Sequence, residues 1–244
     1  MNDQQVVSDP LEVAEQLRDE FRKGASQRDL ERKYPDAEME LLKGSGLLAL
    51  FVPREYGGID ADYRTAMRVI AILAEGDSNL AHIPQAHHTG VEFLKHANAK
   101  KIMDDIFPKI VSGALVTNAF SERNGNKPVD FFSTTLDKVD GELRMNGKKF
   151  YSTGSRWADE FFAPCGIQPA ASPDFGGHSQ AIVWVNAAAS GVEIVDDWDG
   201  MGQRLTASGT VTFDGTRIDE SLVLTTDDDE DRPYNYTGAH AQII

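Results

Sequence analysis

The sequence holds one cysteine, Cys165, in 244 residues, so no internal disulfide can staple it. No apolar run approaches the roughly 18 residues that a membrane helix needs. The opening MNDQQVVSDP has no basic-then-apolar pattern of a signal peptide. Basic residues are scarce as well: 24 Lys and Arg stand against 39 Asp and Glu, a net charge of −15. That balance repels phosphate backbones and argues against nucleic acid as a partner. The acidic run Asp227–Asp231 reads as a solvated loop, since no metal-loop spacing surrounds it. Repeats and low-complexity tracts are absent. What is present is 41% apolar residues, enough for a packed core. Together these features suit a soluble cytoplasmic protein.

The apolar spacing divides the chain. Residues 9–112 read as helices. Asp9 can cap the first, Pro10 suits its first turn and Glu12 completes a capping box. Leu11, Ala14, Leu17 and Phe21 form its stripe. Further helices are expected over about 36–44, 62–74, 78–96 with a bend at Pro84, and 99–107. From Ala114 the pattern changes to short alternating runs: ALVTNAF, STTLDKV, ELRMNG, KKFYST, EFFAPCGI, QAIVWVN, GVEIV and GTVTFD. Asp140-Gly141, Asn146-Gly147 and Asp214-Gly215 are turn signals. The expected fold class is α+β: an all-helical domain over 1–113, a small antiparallel β-barrel or sandwich over 114–226, and an acidic linker with the start of a helix over 227–244.

One strand is unusual. NGKKFYSTG should leave a turn at Asn146-Gly147, and strand alternation then sets Lys149, Tyr151 and Thr153 on one face and Phe150 and Ser152 on the other. A phenol beside a hydroxyl suits a planar polar ligand. Tyr and Thr also simply favour strands.

Longer motifs carry a resemblance. GLLALFVPREYGG resembles the segment that acyl-CoA dehydrogenases place between their second and third helices. DGELRMNGKKFYSTGSRWAD resembles their D-G-x-x-x-x-N-G-x-K-x-[FW]-I-T-N hairpin, and GVEIVDDWDGMGQRLTASGTVTFDGTRI resembles their later strands. The resemblance covers about residues 10–244. WDGMGQRLTASGTV, NLAHIPQAHH and YSTGSRWAD are closer to the flavin-dependent monooxygenase branch, which includes dibenzothiophene monooxygenases and sulfur-acquisition oxidoreductases. In place of the dehydrogenases' T-E-P-x-x-G-S-D, this chain has Ser121-Glu122-Arg123-Asn124-Gly125-Asn126-Lys127-Pro128, which puts a CoA substrate in doubt.

The resemblance implies a flavin, FMN in preference to FAD, between the β domain and a C-terminal helical bundle. It places Tyr151 near the isoalloxazine ring and Thr153 near its N5, where a hydroxyl can donate or accept. Asn118, Phe120 and Ser121 fall on the pyrimidine edge. His87 matches a catalytic histidine of the monooxygenases. Its own spacing, with Leu80, Ile83, Val91 and Leu94, sets it on an inward stripe, where a packed core histidine is an equal reading. Its ordinary pKa of about 6.5 suits proton delivery. Trp157 is expected at the substrate wall. Trp198 could take either a wall or a core role, Ser208 is ambiguous, and Arg204 and Thr206 look structural. His82, His87 and His88 lack the spacing of a zinc helix, so no metal is expected.

The C-terminal GAHAQII resembles only the first turn of the family's bundle. A partner chain is therefore expected to supply the bundle, in a homo- or hetero-oligomer. The implied activity is a reduced-flavin monooxygenase using O₂, a small organic and by resemblance organosulfur substrate, and a flavin reductase. The alternatives are an FAD-dependent acyl-CoA dehydrogenase and a truncated, non-catalytic remnant or partner subunit.

Overall fold

The computed structural model describes residues 9–97, 99–123 and 132–225. The acidic run at 227–231, the helix start expected near 236–244 and the Asn124–Pro128 departure lie outside them.

The helices are α1 (Pro10–Arg22), α2 (Ala25–Glu31), α3 (Asp36–Gly44), α4 (Tyr63–Gly76), α5 (Ser78–His82), α6 (Pro84–His96) and α7 (Lys100–Val111). The Asp9 carboxylate accepts the Leu11 N–H at 2.9 Å and so starts α1, whose buried stripe is Ala14, Leu17 and Phe21. Asp62 starts α4 by accepting the Thr65 N–H at 2.7 Å. α2 has no apolar stripe to announce it. It is held by buried Arg28, which donates to the Phe21 carbonyl at 2.5 Å and to Asp77 at 3.0 Å.

The single bent helix expected over 78–96 is two helices. Asp77 caps α5. Pro84 has no N–H and its ring crowds the preceding turn, so α5 ends at His82 and α6 begins at Pro84. His88 is buried, with its ring edge-on to Phe51.

The strands are β1 (Val116–Asn118), β2 (Thr135–Val139), β3 (Glu142–Ser152), β4 (Glu160–Ile167), β5 (Gln180–Asn186), β6 (Val192–Val195), β7 (Gly209–Ile218) and β8 (Val223–Thr225). They form a sheet ordered β6-β7-β3-β2-β4-β5-β8, with β1 also on β4. The expectation of a purely antiparallel unit is corrected: β1 and β2 both run parallel to β4. β1 pairs with the start of β4 and β2 with its end, so the two lie in line along one edge. Between them the chain makes an excursion that carries Phe120, Ser121, Glu122 and Arg123.

Two of the three turn signals are also corrected. Asp140-Gly141 does join β2 to β3, with φ of +53° and +82°, the signs a tight hairpin needs. Asn146-Gly147 and Asp214-Gly215 are instead the two sides of one irregularity where β3 crosses β7. The Asn146 carboxamide oxygen accepts the Gly215 N–H at 2.7 Å. A Cβ on Gly147 would lie 2.4 Å from Thr134 Oγ1. That glycine marks a close approach of backbones rather than a chain reversal.

One apolar cluster joins the layers, combining Phe21, Leu48, Phe51 and Ile83 with Val116, Trp157, Phe162 and Trp184. A second fills the sheet's other side with Leu136, Met145, Phe161, Val183 and Phe213. Among the described residues no helix is long and apolar enough to cross a membrane.

Candidate functional site

β3 alternates as far as Lys149 and then stops. Lys149 and Ser152 are both fully buried, while Tyr151 is 52% exposed. The expected shared face of Lys149, Tyr151 and Thr153 is therefore overturned. The cause is a register shift between Lys149 and Ser152, with Tyr151 at φ +59°. A left-handed conformation disfavours a residue bearing a Cβ by roughly 1–2 kcal/mol. It persists here because both flanks are fixed.

On one flank the Lys149 ammonium donates to Glu122 at 2.7 Å and to the Pro164 carbonyl at 2.7 Å. Burial pulls its pKa down, and Glu122 opposes that. For Glu122, burial pushes upward, but hydrogen bonds from Lys149, Thr134 and Ser133 prevail and hold it at about 2. The thiol of Cys165 is driven up to about 12 by burial, so it is inert. On the other flank the Gly154 N–H donates to the Thr206 carbonyl at 2.8 Å. Gly154 has φ +79°, and a Cβ there would lie 2.9 Å from Ile83 Cγ2. The α5–α6 joint thus packs directly on the residue after Thr153.

Thr153 leads a hydroxyl network. Its Oγ1 lies 2.9 Å from Ser208 Oγ, which lies 2.8 Å from Thr206 Oγ1. Thr206 in turn donates to the Gln203 carbonyl at 2.9 Å. Gln203 and Ala207 are also left-handed, at φ +51° and +45°. Such conformations gather where a surrounding frame over-determines a functional surface. Trp198 donates its indole N–H to the Gln203 carbonyl at 2.8 Å and sets its ring edge-on to Tyr151, 6.4 Å between centroids.

The excursion after β1 closes the other side. Ser121 bridges Phe150, whose N–H donates to the Ser121 carbonyl at 2.8 Å. Phe120 packs edge-on to Phe162. Asn118 ends β1, partly exposed, opposite Phe162. Asn118, Phe120 and Ser121 thus lie on a stretch paired to the one carrying Tyr151 and Thr153.

His87 and Trp157 are placed differently. His87 is fully buried; its Nε2 donates to the Leu48 carbonyl at 2.7 Å and its Nδ1 accepts the Val116 N–H at 3.0 Å. Both ring nitrogens are thereby committed, and burial lowers the pKa to about 4. In this geometry His87 braces β1 from behind. Trp157 is buried in the seam between layers, donating its N–H to Asp36 at 2.7 Å and meeting Tyr34 edge-on. It is Trp198 that stands beside Tyr151. His82, at the end of α5, is only half-buried and has no hydrogen-bond partner among the described residues; burial lowers its pKa. The neighbours of His82 on both sides touch the site loop, Asn79 through the Leu205 N–H at 3.1 Å and Ile83 through Gly154.

A cleft of about 600 Å³ opens elsewhere, beside α7 and the start of β4. Its lysines are already paired within it, Lys43 to Asp159 and Lys109 to Glu160, so it makes a weaker site.

Residues 8–114 match the family described as acyl-CoA dehydrogenase, N-terminal domain. The helical half is thus similar to that N-terminal domain. The dibenzothiophene monooxygenase of Rhodococcus qingshengii is 31% identical over 217 residues, 89% of this chain and 51% of that protein. A probable FMNH2-dependent monooxygenase of Pseudomonas putida is 26% identical, over 88% of this chain and 51% of its own length. The solved complex of TdsC from a Paenibacillus species with FMN and indole has a TM-score of 0.77 at 27% identity, covering 94% of this chain and 55% of that one. The helical domain and the mixed sheet behind it thus have the acyl-CoA dehydrogenase fold, and the chain's homologues include flavin-dependent monooxygenases. The chain spans about half the length of the curated relatives it matches.

Sequence reasoning missed the Lys149–Glu122 pair, because a lysine in a strand reads as solvent-facing. Ser208, ambiguous in the sequence, is placed by its contact with Thr153: in LTASG a run of small polar residues ends at a strand-opening glycine.

Proposed function

We propose that this chain provides the flavin platform of a reduced-FMN monooxygenase acting on a small organic, organosulfur substrate. The observation that carries the reading is Tyr151: a strained, half-exposed phenol held beside the Thr153–Ser208 hydroxyls. What that surface offers a tricyclic ring is an aromatic against its face and hydroxyls at its edge. Asn118, Phe120 and Ser121 supply the backbone and small polar groups for the pyrimidine side. Relatives that bind or use FMN support this choice over FAD.

Reduced flavin, when bound, supplies the electrons with which O₂ yields one oxygen atom to the substrate and one to water. The residues orient and protonate. Thr206 gives its proton to the Gln203 carbonyl, so Ser208 donates to Thr206 and Thr153 to Ser208, which leaves Thr153 Oγ1 to accept a hydrogen bond from the edge of the ring. His82 is the better candidate for proton delivery than His87, since its nitrogens have no partner among the described residues. Trp198 walls the substrate side. The exposed Tyr151, Ile194, Val195 and Met201 form the surface that helices of a partner chain cover, in an oligomer. A flavin reductase supplies the reductant, and the setting is cytoplasmic.

The test is titration of the purified 244-residue chain with FMN, riboflavin and FAD, followed by turnover with a flavin reductase and O₂. FMN binding that weakens in Tyr151→Ala and Thr153→Val supports the reading. Tight FAD binding with bleaching by an acyl-CoA contradicts it.

A further inference from the structure

Arg123 lies flat over the strand that carries the site. Its guanidinium carbon is 4.2 Å from the centroid of the Phe150 ring and 5.4 Å from that of Tyr151. Its one polar contact among the described residues is a long one, 3.4 Å to the Tyr151 hydroxyl. Among the described residues it meets no carboxylate. Arg28 pairs with Glu38 and Asp77, Arg156 with Asp36, and Arg144 with Glu142.

The residue is also held in place. Its neighbour Glu122 is pinned by Lys149 and by the Ser133 and Thr134 N–H groups, which fixes the backbone from which Arg123 springs. The stack fixes its tip. Stacking occupies only the flat face of a guanidinium and leaves the N–H fork in its plane open. That fork matches the paired oxygens of a phosphate, sulfinate or sulfonate. Much of the ordering that binding would require is already done.

We propose that Arg123 is an oxyanion-recognition group at the edge of the flavin platform. It takes either the terminal phosphate of FMN or the sulfinate or sulfonate of an anionic substrate. The inference rests on the platform reading for its place, and its test separates the two.

Wild-type chain, Arg123→Gln and Arg123→Lys are titrated calorimetrically with FMN, riboflavin, methanesulfinate and inorganic phosphate, with thermal midpoints as a folding control. Arg123→Gln should weaken the recognised oxyanion roughly ten- to hundredfold at an unchanged midpoint, and Arg123→Lys should keep part of the affinity. Loss of the FMN preference over riboflavin identifies the cofactor phosphate. A fall for methanesulfinate with that preference intact identifies the substrate. If flavin binds and Arg123→Gln changes none of these affinities, the inference is overturned and the platform stands. If no flavin binds yet methanesulfinate or phosphate still requires Arg123, the inference stands and the platform reading fails. Binding of neither flavin nor anion overturns both.

Discussion

β5 and the end of β3 are both strands rich in aromatic and β-branched residues, but they serve opposite ends. In β5 every central side chain finds apolar company. Trp184 stacks against Phe93 and Phe162, each at 6.0 Å, while Ala181, Val183 and Val185 join the cluster on the sheet's other side. At the end of β3 a lysine is buried, a tyrosine is left-handed and half-exposed, and a serine is buried beside them. β5 contributes packing. The end of β3 gives some of it up to present a ring and hydroxyls to the outside, and the helical layer with the Lys149–Glu122 pair makes up the deficit.

The largest effect should come from β5. Trp184→Ala is expected to remove about 3–5 kcal/mol of stability, read by urea unfolding, with flavin affinity falling only as far as the folded fraction does. Close behind, Lys149→Met leaves the Glu122 carboxylate buried without its ion partner. It should cost about 3 kcal/mol and, unlike Trp184→Ala, also loosen flavin binding at temperatures where the protein is folded. If the two variants behave alike in both readouts, the contrast between the strands is lost.

Acid sharpens the same contrast from behind the site. His87 has a folded pKa depressed to about 4, so the unfolded chain binds the extra proton between that value and about 6.5. Stability from this group is therefore complete above about pH 6.5 and declines as pH falls toward 4. Between pH 7 and 5 the loss should be about 2 kcal/mol, and His88, lowered in the same direction by burial, adds to it. His87→Gln should flatten that dependence in pH-resolved thermal melts. The smallest effect, and the most telling in sign, is Tyr151→Gly. Relief of the left-handed strain should stabilise the fold by about 1 kcal/mol, while FMN affinity drops roughly tenfold.

The legibility of the fold follows the same division. β4 and β5 run over the residues their apolar pattern marks, 160–167 and 180–186, because packing alone decides them. The stripe Leu80, Ile83, His87, Val91 and Leu94 is buried as its spacing requires, even though Pro84 splits the helix beneath it. The errors cluster where another interaction outvotes periodicity. Asn146-Gly147 looks like a turn until Thr134 and Gly215 are placed beside it. Tyr151 looks like a regular strand position until Lys149 is seen to be committed to Glu122. The same is true of the site. Spacing could turn His87 inward, but only the positions of the Leu48 carbonyl and the Val116 amide reveal that its nitrogens are used. His82, with no hydrogen-bond partner among the described residues, gives no periodic signal.

The most direct test of the flavin platform is amide hydrogen exchange on the chain with and without FMN. Exchange should slow at 118–121, 150–154 and 203–208 when FMN binds, with 160–167 and 180–186 unchanged. Protection confined to other segments, with those stretches exchanging as freely as before, would contradict it.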